Sequence, residues 1–259
     1  MRLSPILSLR DSTDPHADAL DLAHLKASTI GNNELSSISW GQASRPDIIP
    51  FIAKSEEAGI LKELNIPAIT AEQTDGLGSK VERTEHIVIR DLDLPQIAQP
   101  NNGVGRIIAH ANWVYCSSKF ADSDMAKFSP SSTERKELTG PVATAATDYF
   151  EEESYRIAVA HAGGRECYML VGISTLDTHL RKGIATKLVE WIFPLADATT
   201  RPVALTASPA GAPLYRKNGF VDIGGENGEV TVPLEKYGGT KGFIHHHIAM
   251  ERAPKSGSV

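Results

Sequence analysis

The chain has 259 residues, of which 41% are hydrophobic and 22% charged, the balance of an ordinary globular protein. Its formal net charge of -6 speaks against a broad basic surface for nucleic acid. The only two cysteines, Cys116 and Cys167, sit in the apolar runs WVYC and ECYMLV, which points to buried free thiols in a reducing compartment rather than a disulfide framework.

The opening MRLSPILSLR is too short and too broken by Ser4, Pro5 and Ser8 for a signal peptide, and no apolar run has the length of a membrane span. A cytoplasmic protein without a membrane partner is therefore expected. Residues 6–10 read as a short strand. Helical spacing follows from Ala17 to about Ile30, behind the capping candidates Asp14 and Asp18, and again over 47–64, where Pro50 is expected to interrupt the helix early. The polar, glycine-containing stretch 70–84 reads as loop. Strands are expected at 86–90 and 106–116, separated by an insert whose Asn102-Gly103 is a turn signal. Residues 117–142, rich in Ser, Lys, Glu and Asp, read as a mobile surface excursion. A helix is expected over 145–162, ending at Gly163-Gly164.

The second half reads as strand 166–176, helix Gly183–Ala198, strand 202–207 and helix 209–217, the alternation of an α/β unit. An apolar strand at 242–250 completes a mixed sheet. No internal repeat or composition break divides the chain, so one domain is expected over 1–259.

The turn 177–186, DTHLRKGIAT, joins the strand at 166–176 to the next helix. A helix start exposes unpaired N–H groups and partial positive charge, which suits a pyrophosphate if the backbone can come close. Gly183 permits that approach, Ala185 is too small to block it, and Arg181 and Lys182 add cationic side chains. By itself the same turn also reads as a tight entry into a packed helix.

The order of the neighbouring pieces adds to this. Residues 167–223 resemble the GNAT superfamily of N-acetyltransferases, especially its fungal small-molecule members: a strand, the turn L-R-K-G-I-A at Leu180 to Ala185, a helix, a second strand, and Tyr215 ahead of Gly219-Phe220 in LYRKNGF. GRIIAHANW at 105–113 and IHHHIAMERAP at the chain's end look like two further strands of that family. The resemblance implies a single α/β domain whose mixed, twisted sheet splays open between the strands at 166–176 and 202–207, with acetyl-CoA entering the split. By alignment on Gly183, backbone groups of Ile173, Ser174 and Thr175 would pair with the pantetheine arm. The amides of Arg181, Lys182, Gly183, Ile184, Ala185 and Thr186 would hold the pyrophosphate. Ser208 falls where many relatives contact CoA with an asparagine, and it also fits as a cap of the helix at 209–217. Tyr215 would be the general acid that protonates the departing sulfur.

Two residues depart from the family pattern: Leu180 stands for the usual Arg or Gln, and Asp177 for the common proline. The base is open. Met169 occupies the strand position nearest to that of the family's carboxylate or histidine and cannot serve. Glu166, His110 and the triplet His245-His246-His247 are candidates, of which none is assigned. On a strand His246 points opposite to its neighbours, so the triplet cannot converge on a metal. The expected activity is acetyl transfer to a primary amine of a small molecule by direct attack. A GNAT-fold protein that binds CoA or another ligand without turnover is the alternative.

Overall fold

The computed structural model describes residues 1–41, 43–65, 68–69, 83–116, 132–162 and 165–255. Its sheet follows the order β1 (Leu7–Ser8), β2 (Arg83–Asp91), β3 (Arg106–Cys116), β4 (Cys167–Thr175), β5 (Val203–Ala207) and β8 (Ile244–Arg252). The short β6 (Val221–Asp222) and β7 (Glu229–Pro233) share the outer edge of β8. Every pairing is antiparallel except β4 with β5, which are parallel. A parallel pair needs a crossover, and here it is the helical segment α6 (Ile184–Glu190) and α7 (Phe193–Ala198). The fold is thus a mixed α/β domain around a mixed sheet, as the alternation of elements predicts.

Each face of the sheet carries its own helices. Alternate residues of the central strands, among them Ile87, Ile89, Ala111, Trp113, Tyr168 and Leu170, turn to one face and pack on Ile184, Leu188 and Val189 of α6. The opposite face is covered at one end by α1 (Pro15–Ser28) and α3 (Arg45–Glu63), where Leu22, Leu25 and Ile60 meet Val88 and Ile107. At the other end it is covered by α5 (Pro141–Ala162), where Ala146 and Ile157 meet Val230, Val232 and Ala249. The middle strands run between these two helical covers.

Several expectations are corrected. Pro50 does not end α3, because it lies barely more than a turn from the helix start and removes a single backbone bond. The helix expected over Gly183–Ala198 is two pieces, since Pro194 has no N–H for the Glu190 carbonyl. The expected loop 70–84 lies outside the described residues up to 82, and residues 83–84 open β2. Of the expected excursion 117–142, residues 117–131 lie outside the described residues, as do Gly163-Gly164. The remainder is ordered helix: Ser132 caps α4 (Thr133–Thr139) by accepting the Arg135 amide at 3.2 Å, and Gly140, at φ 83°, turns the chain into α5. A helix α2 (Glu34–Trp40), capped by Asn33, was not anticipated at all. Among the described residues no helix is long and apolar enough to cross a membrane.

Candidate active site

β4 and β5 lie side by side for three residue pairs, Tyr168 with Val203, Met169 with Ala204 and Leu170 with Leu205, and then part. The cause lies in β4. Leu170 is opposite Trp113 and Gly172 is opposite Asn112, so Val171 is pushed out as a bulge, with its side chain 62% exposed. A bulge bends the strand that carries it. From there to Thr175, β4 stays with β3, while β5 stays with β8 as far as Ala207. Ile173, Ser174 and Thr175 therefore turn toward β5 a strand edge that no strand among the described residues pairs with. The splay expected from the sequence is present, and it opens at Val171.

The chain leaves β4 through a turn that is firmly anchored at its base. The Leu176 amide donates to the Ile108 carbonyl at 2.8 Å, and Asp177–His179 form one 3-10 turn. His179 is buried, with Nε2 at 3.0 Å from Asp91 Oδ2 and Nδ1 at 2.9 Å from Thr178 Oγ1. Beyond it Arg181 and Gly183 both take left-handed backbone conformations, at φ 59° and 75°. Six successive amides, Arg181 through Thr186, donate to no group among the described residues. Left-handed residues alternating with right-handed ones among free N–H groups are what an anion-binding backbone nest is built from. An added Cβ on Gly183 would meet nothing within 4 Å, so its positive φ, and not crowding, calls for glycine there.

The side chains of this turn divide. Lys182 Nζ donates to the Thr178 carbonyl at 2.8 Å and lies 3.6 Å from Met1 Sδ. Arg181 is exposed, Ile184 is buried in the core, and Ala185 and Thr186 are half-buried. Leu180, where the family resemblance would place a polar contact, is exposed to solvent.

On the other side of the gap the chain passes from β5 into α8 (Ala212–Lys217), which carries Tyr215. Ser208 does not cap the helix as expected, because α8 begins at Ala212 behind Gly211: the Ser208 Oγ accepts the Gly211 amide at 3.2 Å and its carbonyl accepts the Gly211 and Ala212 amides at 2.9 Å, closing a turn before the helix. This turn delays the helix to Ala212. Gly211 lies close under α8, where an added Cβ would sit 3.2 Å from a Tyr215 ring carbon. Tyr215 is buried edge-on against Phe220, with ring centroids 5.8 Å apart. Burial pushes its phenol up to about 12, so it is protonated at neutral pH, the state a general acid needs. Its hydroxyl has no hydrogen-bond partner among the described residues.

The base candidates are sorted by their contacts. Glu166 lies at the closed end of β4 and accepts Arg201 Nε at 2.6 Å, far along the strand from the parting. His246 faces outward to Glu229 at 3.2 Å. His245 and His247 turn to the opposite face, their rings 5.0 Å apart and both edge-on to Phe150 of α5. His110 is buried on β3, opposite Ser174 of β4. Sequence reasoning missed His179 and Gly211; for Gly211, the Ser208-Pro209 turn start was the available signal.

No protein-family model matches the chain, and no curated protein does. Its structure is similar to that of mosquito arylalkylamine N-acetyltransferase like 5b, with 10% identity over 96% of this chain and 100% of that one, at a TM-score of 0.49. It is also similar to a Corynebacterium glutamicum structure of histone acetyltransferase HPA2 and related acetyltransferase, with 16% identity over the whole of both chains and a TM-score of 0.47. A phosphinothricin acetyltransferase of the GNAT superfamily from Sinorhizobium meliloti, in complex with acetyl-CoA, shares 11% identity over 100% of this chain and 92% of that one, at a TM-score of 0.45.

Proposed function

We propose that the protein is an N-acetyltransferase of the GNAT type that moves the acetyl group of acetyl-CoA to a primary amine of a small molecule. The observation that carries this reading is the parting of β4 from β5 at Leu170 and Leu205, with six free amides in the turn that follows β4 and Tyr215 on the helix that follows β5. The residues present fit a CoA thioester. The edge at Ile173, Ser174 and Thr175 offers backbone groups to the amides of a pantetheine arm, in the manner of an added strand. The amides of Arg181 through Thr186 suit a diphosphate.

In this reading the chain's contribution is mainly positional. Holding amine and thioester together in the gap converts a bimolecular encounter into an intramolecular one. Backbone N–H groups along the β4 edge polarise the acetyl carbonyl as negative charge grows on its oxygen. The amine nitrogen bonds to the carbonyl carbon, the carbon–sulfur bond breaks, and Tyr215 gives its phenolic proton to the departing sulfur. The phenolate is reprotonated from the nitrogen, which sheds two protons in all from its ammonium form, so one proton per turnover is left for a base.

The test is thiol release from acetyl-CoA over a panel of alkylamines, with acetyl-CoA affinity measured separately. Tyr215→Phe is expected to lower kcat about 10²-fold, within the usual range for loss of a general acid, and to leave acetyl-CoA affinity unchanged. An undiminished rate in this variant removes Tyr215 from the role. Binding of acetyl-CoA without turnover on any amine replaces the enzyme by a ligand-binding protein of the same fold.

A further inference from the structure

Polar atoms without partners gather on one face of the sheet beside the gap. Glu63 Oε2, His86 Nδ1, His110 Nε2 and Asn112 Oδ1 are all buried, and none has a hydrogen-bond partner within 3.5 Å among the described residues. A buried polar atom left unsatisfied costs about 1–3 kcal/mol.

The four groups stand in a row. Glu63, at the last turn of α3, is 2% exposed, and its Oε2 lies 3.5 Å from His86 Nδ1 on β2, while its Oε1 accepts the His86 amide at 3.0 Å. The His86 ring stands edge-on to that of His110 on β3, with centroids 5.1 Å apart. His86 is opposite Asn112, Asn112 is opposite Gly172, and His110 is opposite Ser174. Directly opposite residues in an antiparallel pair have Cβ atoms about 4.5–5.5 Å apart, which puts the Ser174 hydroxyl within reach of the His110 ring. Gly172 has no positive φ, and an added Cβ there would meet nothing within 4 Å. Neither backbone nor crowding requires glycine at this position, and its lack of a side chain leaves the sheet face open beside Asn112. The row thus runs from α3 across three strands and ends on the stretch of β4 that has left β5.

The geometry points to a proton relay, Ser174–His110–His86–Glu63, that takes the proton an acceptor ammonium must lose and carries it from the open edge of β4 to the Glu63 carboxylate. This rests on the acetyltransferase reading and supplies the base that reading lacks. The transfer balances: the ammonium N–H bond breaks, its electron pair stays on nitrogen as the nucleophilic lone pair, the Ser174 hydroxyl takes that proton as it gives its own to His110, each imidazole takes a proton on one nitrogen, releases one from the other and regains its first tautomer by ring rotation, and Glu63 ends as the neutral acid. It returns its proton to solvent between turnovers.

The surrounding charges suit this direction. Arg10, from the 3-10 turn Leu9–Asp11, is held on Glu85 at 2.7 Å and lies 3.9 Å from Glu63, while Lys26 of α1 is held on Glu56 of α3 at 2.5 Å. Burial, with Lys26 and Arg10 adding to it and the Asn112 side chain pulling the other way, holds His86 down to about 4. Burial, Lys26 and His86 hold His110 well below the ordinary imidazole value. Both rings are therefore neutral at pH 7 and act as conduits. Burial raises Glu63 to about 7, against the pull of the His86 amide and Arg10, and the neighbouring Glu85 adds to the rise. A carboxyl titrating there can both take and release a proton near neutrality.

The test compares two acceptors on wild type, Glu63→Gln and His110→Asn: an alkylamine, which is an ammonium at pH 7, and an alkoxyamine, which is neutral. Both variants are expected to lose about 10²-fold in kcat/KM on the alkylamine, to retain most of the rate on the alkoxyamine, and to keep wild-type acetyl-CoA affinity. Glu63→Gln is also expected to lose the inflection near pH 7 from the pH profile. Equal losses on both acceptors, or no loss on either, overturn the relay while leaving the acetyltransferase standing. A wild type that turns over neither acceptor sinks both. If the variants fail to fold, carboxyl-carbon NMR on the wild type decides: Glu63 titrating near 7, with the His86 ring responding at the same midpoint, supports the relay, and an ordinary Glu63 titration refutes it.

Discussion

At Gly183 one dihedral angle joins sequence to chemistry. A φ of 75° is easy for glycine and costs other residues about 1–2 kcal/mol. Gly183→Ala is therefore expected to lower unfolding free energy by about 1 kcal/mol in urea titrations, and to weaken acetyl-CoA binding in calorimetry, because relieving the strain turns the amides of the nest apart. The need for glycine here was legible in R-K-G-I-A, because a positive φ leaves its mark on residue identity. The partner of Lys182 was not legible for the converse reason: a lysine's charge is plain in a sequence, but its contact with the Thr178 carbonyl is set by how the chain folds back. Glu63 and His86 left no mark either. Glu63 stands in the run ILKEL like any solvent-facing helix glutamate, and only the docking of β2 against α3 makes it a buried group.

Among elements, strands 166–176 and 202–207 were readable because both are short, continuously apolar runs bounded by turn residues. The helix α4 was not, since TERKELT is polar on every side and owes its order to Ser132 and to packing on α5. The bulge at Val171 was invisible for a related reason: it is a property of pairing with β3, and the run YMLVGIST reads as one strand. The link from α1 to the β2–β3 hairpin was likewise hidden. Arg90 of β2 donates to Asp18 of α1 at 2.6 Å, and Gln96 donates to the same oxygen at 2.8 Å. Asp21 accepts the Ile97 and Ile107 amides at 3.0 Å each. All four side chains are buried. Arg90→Met strands the Asp18 charge without its cation, so a loss of about 3–5 kcal/mol is expected, measured as a lowered urea midpoint with an unchanged slope.

For the whole molecule, the buried Glu63 and His86 write opposite signs into stability against pH. Glu63 is raised in the folded state from an ordinary 4.5 to about 7, so its contribution is fully present below 4.5 and is lost as pH climbs through 7. His86 is depressed from 6.5 to about 4, so its contribution is present above 6.5 and is lost as pH falls through 4. The two oppose each other between 4.5 and 6.5 and flatten the wild-type profile. Glu63→Gln removes the first, while its amide oxygen can still accept the His86 N–H. Relative to wild type the variant is expected to gain about 3 kcal/mol between pH 4.5 and pH 8, read from urea unfolding at the two values.

The three-pair contact of β4 with β5 carries a mechanical consequence. One half of the sheet, β1 to β4, is stitched by long antiparallel ladders, and so is the other, β5 to β8. Between them the backbone seam is three rungs long, reinforced by α6 and α7 lying across one side. The domain is a hinge-backed book, and whatever fills the parting stands as its missing pages, bracing the two covers at a fixed angle.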